Sequence, residues 1–517
     1  MGLFPSSGVK WITLFFTALI AVGMPLSVFL QSVGSIGLIS VVIITGSFNR
    51  IITEIKTNKL LWPPLAIYAI HVVGLIWTGN YDYAMHDLRV KLPMLSLPIA
   101  FAAIKINRAH LHVILALFSL STIASTFIAF GVHHEWLHTK KEISDIRHIS
   151  IFVSHVRLSL FIVFSIVITG YLSFYYRKTI FIAVPVIVWL FYFLFLIESA
   201  TGFVVLVGVL FILVMVYLRL IPGALAKVGA LALVFVLPLA GVFYTAKCVK
   251  SYYTIASPDW YNNLATHTAK GNEYEHQTQN KQLESGYFVW YYINYGEASE
   301  AWAEKSNIPI HGLDKKGQPL FGTLFRYATS KGLHKDYQGI SSLTDEDVKN
   351  IEEGKTSAHS RVGIRKRIDE IIFEFDMYLN GGNPSGNSVT QRFEFWKNAF
   401  LVIGENLWTG VGTGDTRSEM KAMYLKSGSI LKEDYQLGAH NQFITFLLGF
   451  GVIGLPIILA FLLLPFFSPD LKSCLPYLSF LIIVLFSFLS EDTLETQAGV
   501  TFFAFFSAFF GVSSCKA

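Results

Sequence analysis

Residues 179–197 read TIFIAVPVIVWLFYFLFLI, with Arg177 and Lys178 before them and Glu198 after them. No charged side chain interrupts the run. A helix needs about 20 mostly apolar residues to cross the hydrocarbon core of a bilayer. The stretch meets that length, so it predicts a membrane-spanning helix rather than a buried helix of a soluble domain. The totals agree. Of 517 residues, 53% are hydrophobic and 15% charged, against about a quarter charged in soluble domains. The mean hydropathy is +0.52. Phenylalanine occurs 44 times, an abundance that suits lipid-facing helices.

Working outward from this run, the same reading predicts about twelve spans, near 11–31, 33–48, 61–78, 92–105, 110–131, 150–173, 179–197, 201–219, 224–245, 440–466, 473–490 and 497–514. The second and fourth are short. Lys10 before the apolar run Trp11–Leu30 resembles a signal peptide, but no small-residue cleavage site stands out, and a retained first span is expected. The fold class is therefore an all-α integral membrane protein. Residues 1–245 form an N-terminal bundle of about nine spans, 246–439 a large polar insert between the ninth and tenth, and 440–517 a C-terminal bundle of about three.

Loop charges orient the bundle. Lys10, Arg50, Lys56, Lys59, Lys105, Arg108, Arg177, Lys178, Arg219, Lys227, Lys472 and Lys516 fall on one side, and Asp82, Asp87, Glu198, Glu491, Asp492 and Glu495 on the other. Both termini are expected in the cytoplasm and the insert outside it, which in a bacterium is the periplasm. Arg89, Lys91, Lys140, Lys141, Arg147 and Arg157 oppose this bias. Basic residues at external span ends are tolerated by snorkelling, or they gather around an anionic ligand.

The insert is polar without being low in complexity. Thr344–Leu379 reads as helical, with a basic cluster of Arg361, Arg365, Lys366 and Arg367 that reads as a solvated or headgroup-facing surface. Gly381–Gly386 breaks it, and a helix from about Ser388 to Ile403 follows. Cys248, Cys474 and Cys515 match no metal or redox spacing and read as single thiols.

Chemistry-bearing residues crowd around the start of the tenth span. Gln391-Arg392-Phe393-Glu394-Phe395-Trp396 leads to Gly410-Val411-Gly412-Thr413-Gly414-Asp415, and His440-Asn441-Gln442-Phe443 opens an apolar helix through Gly451 and Gly454. The glycines lack the dinucleotide spacing and have no βαβ context. An Arg–Trp helix, a glycine-rich turn and a His-Asn pair opening an apolar helix resemble the O-antigen ligase and O-antigen polymerase family, well over about 390–460 and loosely over the whole chain. Arg89-Val90-Lys91-Leu92-Pro93, Ser154-His155-Val156-Arg157 and Glu491-Asp492-Thr493-Leu494-Glu495 resemble further parts of it. The chain departs where many members carry Ser-Arg, since Ser199 is followed by Ala200.

The resemblance implies a bacterial inner-membrane glycosyltransferase. It would move a glycan from an undecaprenyl-pyrophosphate carrier to an acceptor hydroxyl on lipid A–core, a glycan repeat or a protein. An O-antigen ligase is the first expectation, with polymerase and protein O-oligosaccharyltransferase as alternatives. The residue types fit. Histidine can take the hydroxyl proton, giving roughly 10²–10⁴-fold, and planar arginine forks bind pyrophosphate oxygens. The expected base is His440. Arg392, Arg157, Arg89, Lys91, His155 and Asn441 are the expected substrate-binding residues, with Asp415 and Glu491 orienting the basic groups. The first two external loops carry no Asp-x-Asp motif, so arginine rather than a metal is expected at the pyrophosphate. No cofactor and no nucleic-acid partner are expected. A lipid-linked-glycan transporter is the non-enzyme alternative. It would place charges at span midplanes and often repeat one half in the other, whereas here the polar residues crowd the external side.

Overall fold

The computed structural model describes residues 7–139, 146–256, 261–359, 363–468 and 474–513. It is mostly helical, with almost no strand. Among the described residues, nine helices are long and apolar enough to cross a membrane, and Leu475–Ser490 and Gln497–Val512 are shorter apolar helices. The expected fourth span is a ten-residue helix, Pro93–Ala102, set off from the helix Tyr81–Lys91 by the Leu92–Pro93 junction. At 1.5 Å per residue it is about 15 Å long, half a bilayer core. The break between the first two spans falls at Ser27, which caps the helix Val28–Thr45 by accepting from the Leu30 amide. Hydropathy could not locate it, because one capping serine leaves the apolar average untouched.

By contacts the chain divides into Met1–Phe235 with Gln391–Ala517, and Val236–Thr390. The second unit is smaller than the 246–439 insert read from polarity, since Gln391 onward joins the helical bundle. The reason is local. The helix Thr390–Glu405 buries Phe395, Ala399, Val402 and Ile403 against Met420, Met423, Tyr424 and Leu448 of the bundle unit.

The bundle's core is aromatic. Phe502, Phe503, Phe505, Phe506, Phe509 and Phe510 of the last helix are all buried. Phe506 meets Phe118 and Phe164 edge-on, with ring centroids 5.2 and 5.0 Å apart. Edge-to-face contact suits the ring quadrupoles, and close packing must hold helices together where lipid is as apolar as protein. Much of the phenylalanine read as lipid-facing is therefore core. Cys474 is disulfide-bonded, which corrects the expectation of three single thiols. Separation along a sequence carries no information about how closely two thiols approach in space. Cys248 is free and buried.

The helix Gln442–Leu463 is interrupted at Gly451, with φ 61° and ψ −167°. In an unbroken helix the amides of Val452 and Ile453 would donate to the carbonyls of Leu448 and Gly449. Here they donate to Leu407 and Trp408 at 2.9 and 3.2 Å, while Leu448 and Gly449 accept from Val411 and Gly412 at 3.0 and 2.9 Å. The glycine-rich segment is thus inserted into the helix ladder and satisfies these two amides and two carbonyls, as broken backbone within a membrane bundle requires. A Cβ at Gly451 would lie 2.3 Å from the Trp408 carbonyl oxygen, so the crossing admits only glycine.

The second unit has its own core around Trp302, Leu320, Leu324, Phe325 and Ile351. Short helices surround it, and one hairpin pairs Leu283 with Phe288 and Glu284 with Tyr287. The stretch Thr344–Leu379, expected to be helical, forms two helices, Asp345–Glu352 and Gly363–Leu379. Thr344 and Asp347 form a capping box at the start of the first. Arg361 lies outside the described residues. Arg365 pairs with Asp369, and Arg367 with Glu370 and Glu374, all on one helix.

Candidate active site

The site is built from two helix starts and one acidic loop. On the helix Thr390–Glu405, residues three and four apart share a face. Arg392, Phe395 and Trp396 are so placed, and each reaches the same neighbourhood. Arg392 Nη2 donates to Glu491 Oε1 at 2.9 Å. The Phe395 ring stacks on the His440 imidazole, with centroids 5.4 Å apart. Trp396 Nε1 donates to the carbonyl of Ala439 at 2.9 Å. The motif read as an Arg–Trp helix thus holds the backbone before His440, packs its ring and brings an arginine alongside.

His440 has φ 47°, a left-handed conformation uncommon outside glycine but enriched for histidine. Its amide donates to Asp492 Oδ2 at 2.9 Å, and Thr445 Oγ1 donates to Asp492 Oδ1 at 2.7 Å. Its Nδ1 faces Glu491 Oε2 at 3.6 Å. One carboxylate therefore meets the arginine with one oxygen and the imidazole with the other. When Nδ1 carries the proton toward Glu491, Nε2 keeps its lone pair and can accept another.

The electrostatics follow from burial and neighbours. Burial pushes the Glu491 carboxyl up, but His440, Arg392 and Arg157 together outweigh it and hold the group below the ordinary glutamate value. Asp492 is held above the ordinary aspartate value, because burial outweighs the favourable contacts from His440 and Thr445. The positive charge of Arg157, near the start of the helix His155–Tyr175, acts on both Glu491 and Asp492. Arg157 Nη1 also donates to Ser154 Oγ at 3.1 Å. Three of the basic residues singled out in the sequence, His440, Arg392 and Arg157, thus converge electrostatically on one carboxylate.

The others are placed differently. Asn441 caps the helix it opens. Its Oδ1 accepts from the Phe443 and Ile444 amides, and its Nδ2 donates to the Leu489 carbonyl. That commitment suits holding His440 rather than gripping substrate. Lys91 is fully buried and paired with Asp87 and Glu495, so its charge is already neutralised by carboxylates. Arg89, exposed two residues before it, forms no ion pair among the described residues. His155 is half-buried in the first turn of its helix. Asp415 orients backbone instead of a basic group, accepting from the Gly79 and Asn80 amides at 2.5 and 2.9 Å.

Sequence reasoning passed over Asp87, Asp492, Thr445 and Gln442. One signal was available, since Asp87 and Lys91 are spaced i, i+4 on a helix, the separation at which opposite charges meet. Asp492 and Gln442 lay within quoted motifs, but nothing local announced their partners, which lie 52 residues away.

No curated protein gives a significant match to the chain. A family model described as O-antigen ligase matches residues 346–459, a range that holds Arg392, the glycine-rich turn and His440 but not Arg157 or Glu491. The chain accordingly carries an O-antigen ligase family domain.

Proposed function

We propose that the protein transfers a glycan from an undecaprenyl-pyrophosphate carrier to an acceptor hydroxyl at the periplasmic membrane face, as an O-antigen ligase. The observation that supports this most is the joint engagement of His440 and Arg392 by Glu491. It sets a base and an anion-binding group side by side. His440 Nε2 takes the acceptor's hydroxyl proton as its oxygen attacks the anomeric carbon. The bond from that carbon to the pyrophosphate oxygen breaks, and undecaprenyl pyrophosphate leaves with the electron pair. Arg392 uses one guanidinium nitrogen on Glu491, so its remaining N–H groups can meet the pyrophosphate, with Arg157 adding charge nearby. Preorganised charge at a leaving group lowers the barrier directly. On this reading arginine replaces a metal, both termini are cytoplasmic, and the protein resides in the bacterial inner membrane.

Purified protein with lipid-linked donor and acceptor tests the reaction. Transfer should survive EDTA, and a loss restored by Mg²⁺ or Mn²⁺ would defeat the metal-free mechanism. The glycan profile of a deletion strain assigns the acceptor. Uncapped core means a ligase, single-repeat caps a polymerase, and unglycosylated proteins an oligosaccharyltransferase. Reporters fused after Glu284 and Lys178 should be active only outside and only inside the cytoplasm, respectively, and the reverse pattern would overturn the orientation.

A further inference from the structure

The buried ion triad of Lys91, Asp87 and Glu495 has no part in the mechanism above. Lys91 ends the helix Tyr81–Lys91 and Asp87 lies one turn before it, so both occupy one face. The Lys91 side chain is 1% exposed, and its Nζ donates to Glu495 Oε2 at 2.9 Å and to Asp87. A buried ammonium is tolerated only when paired, and removing one partner leaves an uncompensated charge.

Glu495 closes the loop that begins at Glu491. Its other oxygen accepts from Gln442 Nε2 at 3.4 Å, and Gln442 Oε1 accepts from the Leu494 amide at 2.7 Å. Thr493 Oγ1 lies 3.0 Å from Ser487 Oγ. The loop is therefore pinned at its far end by Lys91 and along its length by Gln442, in the helix that His440 precedes, and by Ser487 of the helix Leu475–Ser490. Its near end bears Glu491 and Asp492, which hold the His440 side chain and amide. Losing the buried ion pair among these ties loosens the loop, and a displacement of about 1 Å at a catalytic group costs roughly 10²-fold.

We propose that Lys91 is a positioning residue, whose bond to Glu495 fixes the loop 491–495 where Glu491 engages His440 and Arg392. The proposal rests on the glycan-transfer reading. It assigns Lys91 to the site's support, not to the donor's pyrophosphate.

The test uses the full-length protein in proteoliposomes. Lys91→Met should lower kcat about 10- to 10²-fold with donor KM changed less than about threefold. In a His440→Ala background the same substitution should cost nothing further, because both act through one base. Lys91→Met combined with Asp87→Asn and Glu495→Gln removes all three charges and leaves no buried ion unpaired, which serves where the single variant fails to insert. It should show the same loss confined to kcat. Hydrogen exchange of the amides of 491–495 in detergent, read without any activity, should quicken in both variants. A raised donor KM at unchanged kcat would make Lys91 a donor-binding group and overturn the proposal. So would losses that multiply with His440→Ala, or unchanged exchange in the loop. If the wild-type protein transfers no glycan, the functional reading fails alone, and the exchange measurement still decides whether Lys91 anchors the loop.

Discussion

The basic side chains of the helix Gly363–Leu379 find their counterions on the same helix, three to seven residues away: Arg365 on Asp369, Lys366 on Glu370, and Arg367 on Glu370 and Glu374. Those around His440 find theirs at the far end of the chain. Arg392 reaches Glu491, 99 residues on, and Lys91, besides its i, i+4 pair with Asp87, reaches Glu495, 404 residues on. A pair within one helix forms wherever the helix forms, and stabilises it by about 0.2–0.5 kcal/mol. A pair between distant segments exists only if the whole bundle assembles, and it fixes one group against another to within fractions of an ångström. The first arrangement is what a solvated surface needs and the second is what chemistry needs.

The sharpest way to break this contrast is His440→Ala, expected to lose about 10²–10⁴-fold in transfer rate with protein level and insertion unchanged. His440→Gln should not rescue it, since an amide cannot take the proton. Near wild-type turnover in either variant would reduce the long-range cluster to another structural network, with His155 the next base to examine. Arg392→Ala should cost about 10²-fold, as for loss of one preorganised charge stabiliser. Arg392→Lys should recover only part, because a point charge lacks the planar fork. Full activity in Arg392→Ala would remove it from the site.

Glu491→Gln sharpens the comparison by keeping shape while removing charge, and a fall in kcat of about tenfold is expected from a mis-set base. It also has a pH signature. A carboxyl held below its ordinary value adds stability that is full above the unfolded value and is lost as pH falls through the folded one. Thermal unfolding of the wild type in detergent should therefore show an acid-dependent contribution that Glu491→Gln abolishes, and an unchanged pH dependence would count against the pairing. Asn441→Ala, which removes a helix cap, should cost about 1 kcal/mol of stability, seen as a lowered unfolding temperature, with a smaller effect on turnover than either His440 or Arg392. The smallest effect belongs to the other helix. Arg365→Gln should change transfer less than about twofold and stability by less than about 0.5 kcal/mol. A large catalytic loss there would place the second unit's basic face in the chemistry.

Read residue by residue, the chain announces its lipid environment, most of its helices and the two motifs that bracket the site. A run such as 179–197 admits few other readings, because hydrocarbon offers backbone groups no partners and only a helix satisfies them within one segment. Arg392, Phe395 and Trp396 could be placed on one face from spacing alone, and the acidic 491–495 loop was visible as a charge cluster. The interruption at Gly451 was not, since it depends on carbonyls of Leu407 and Trp408 arriving to replace the helix's own. Nor was the pairing of Lys91, expected to bind substrate, with Glu495 at 2.9 Å. Sequence determines which groups a segment must satisfy, through hydropathy, spacing and charge. Which distant atoms satisfy them was decided only by the tertiary structure, because Glu491 can hold His440 and Arg392 only after folding has brought three remote segments within a few ångströms.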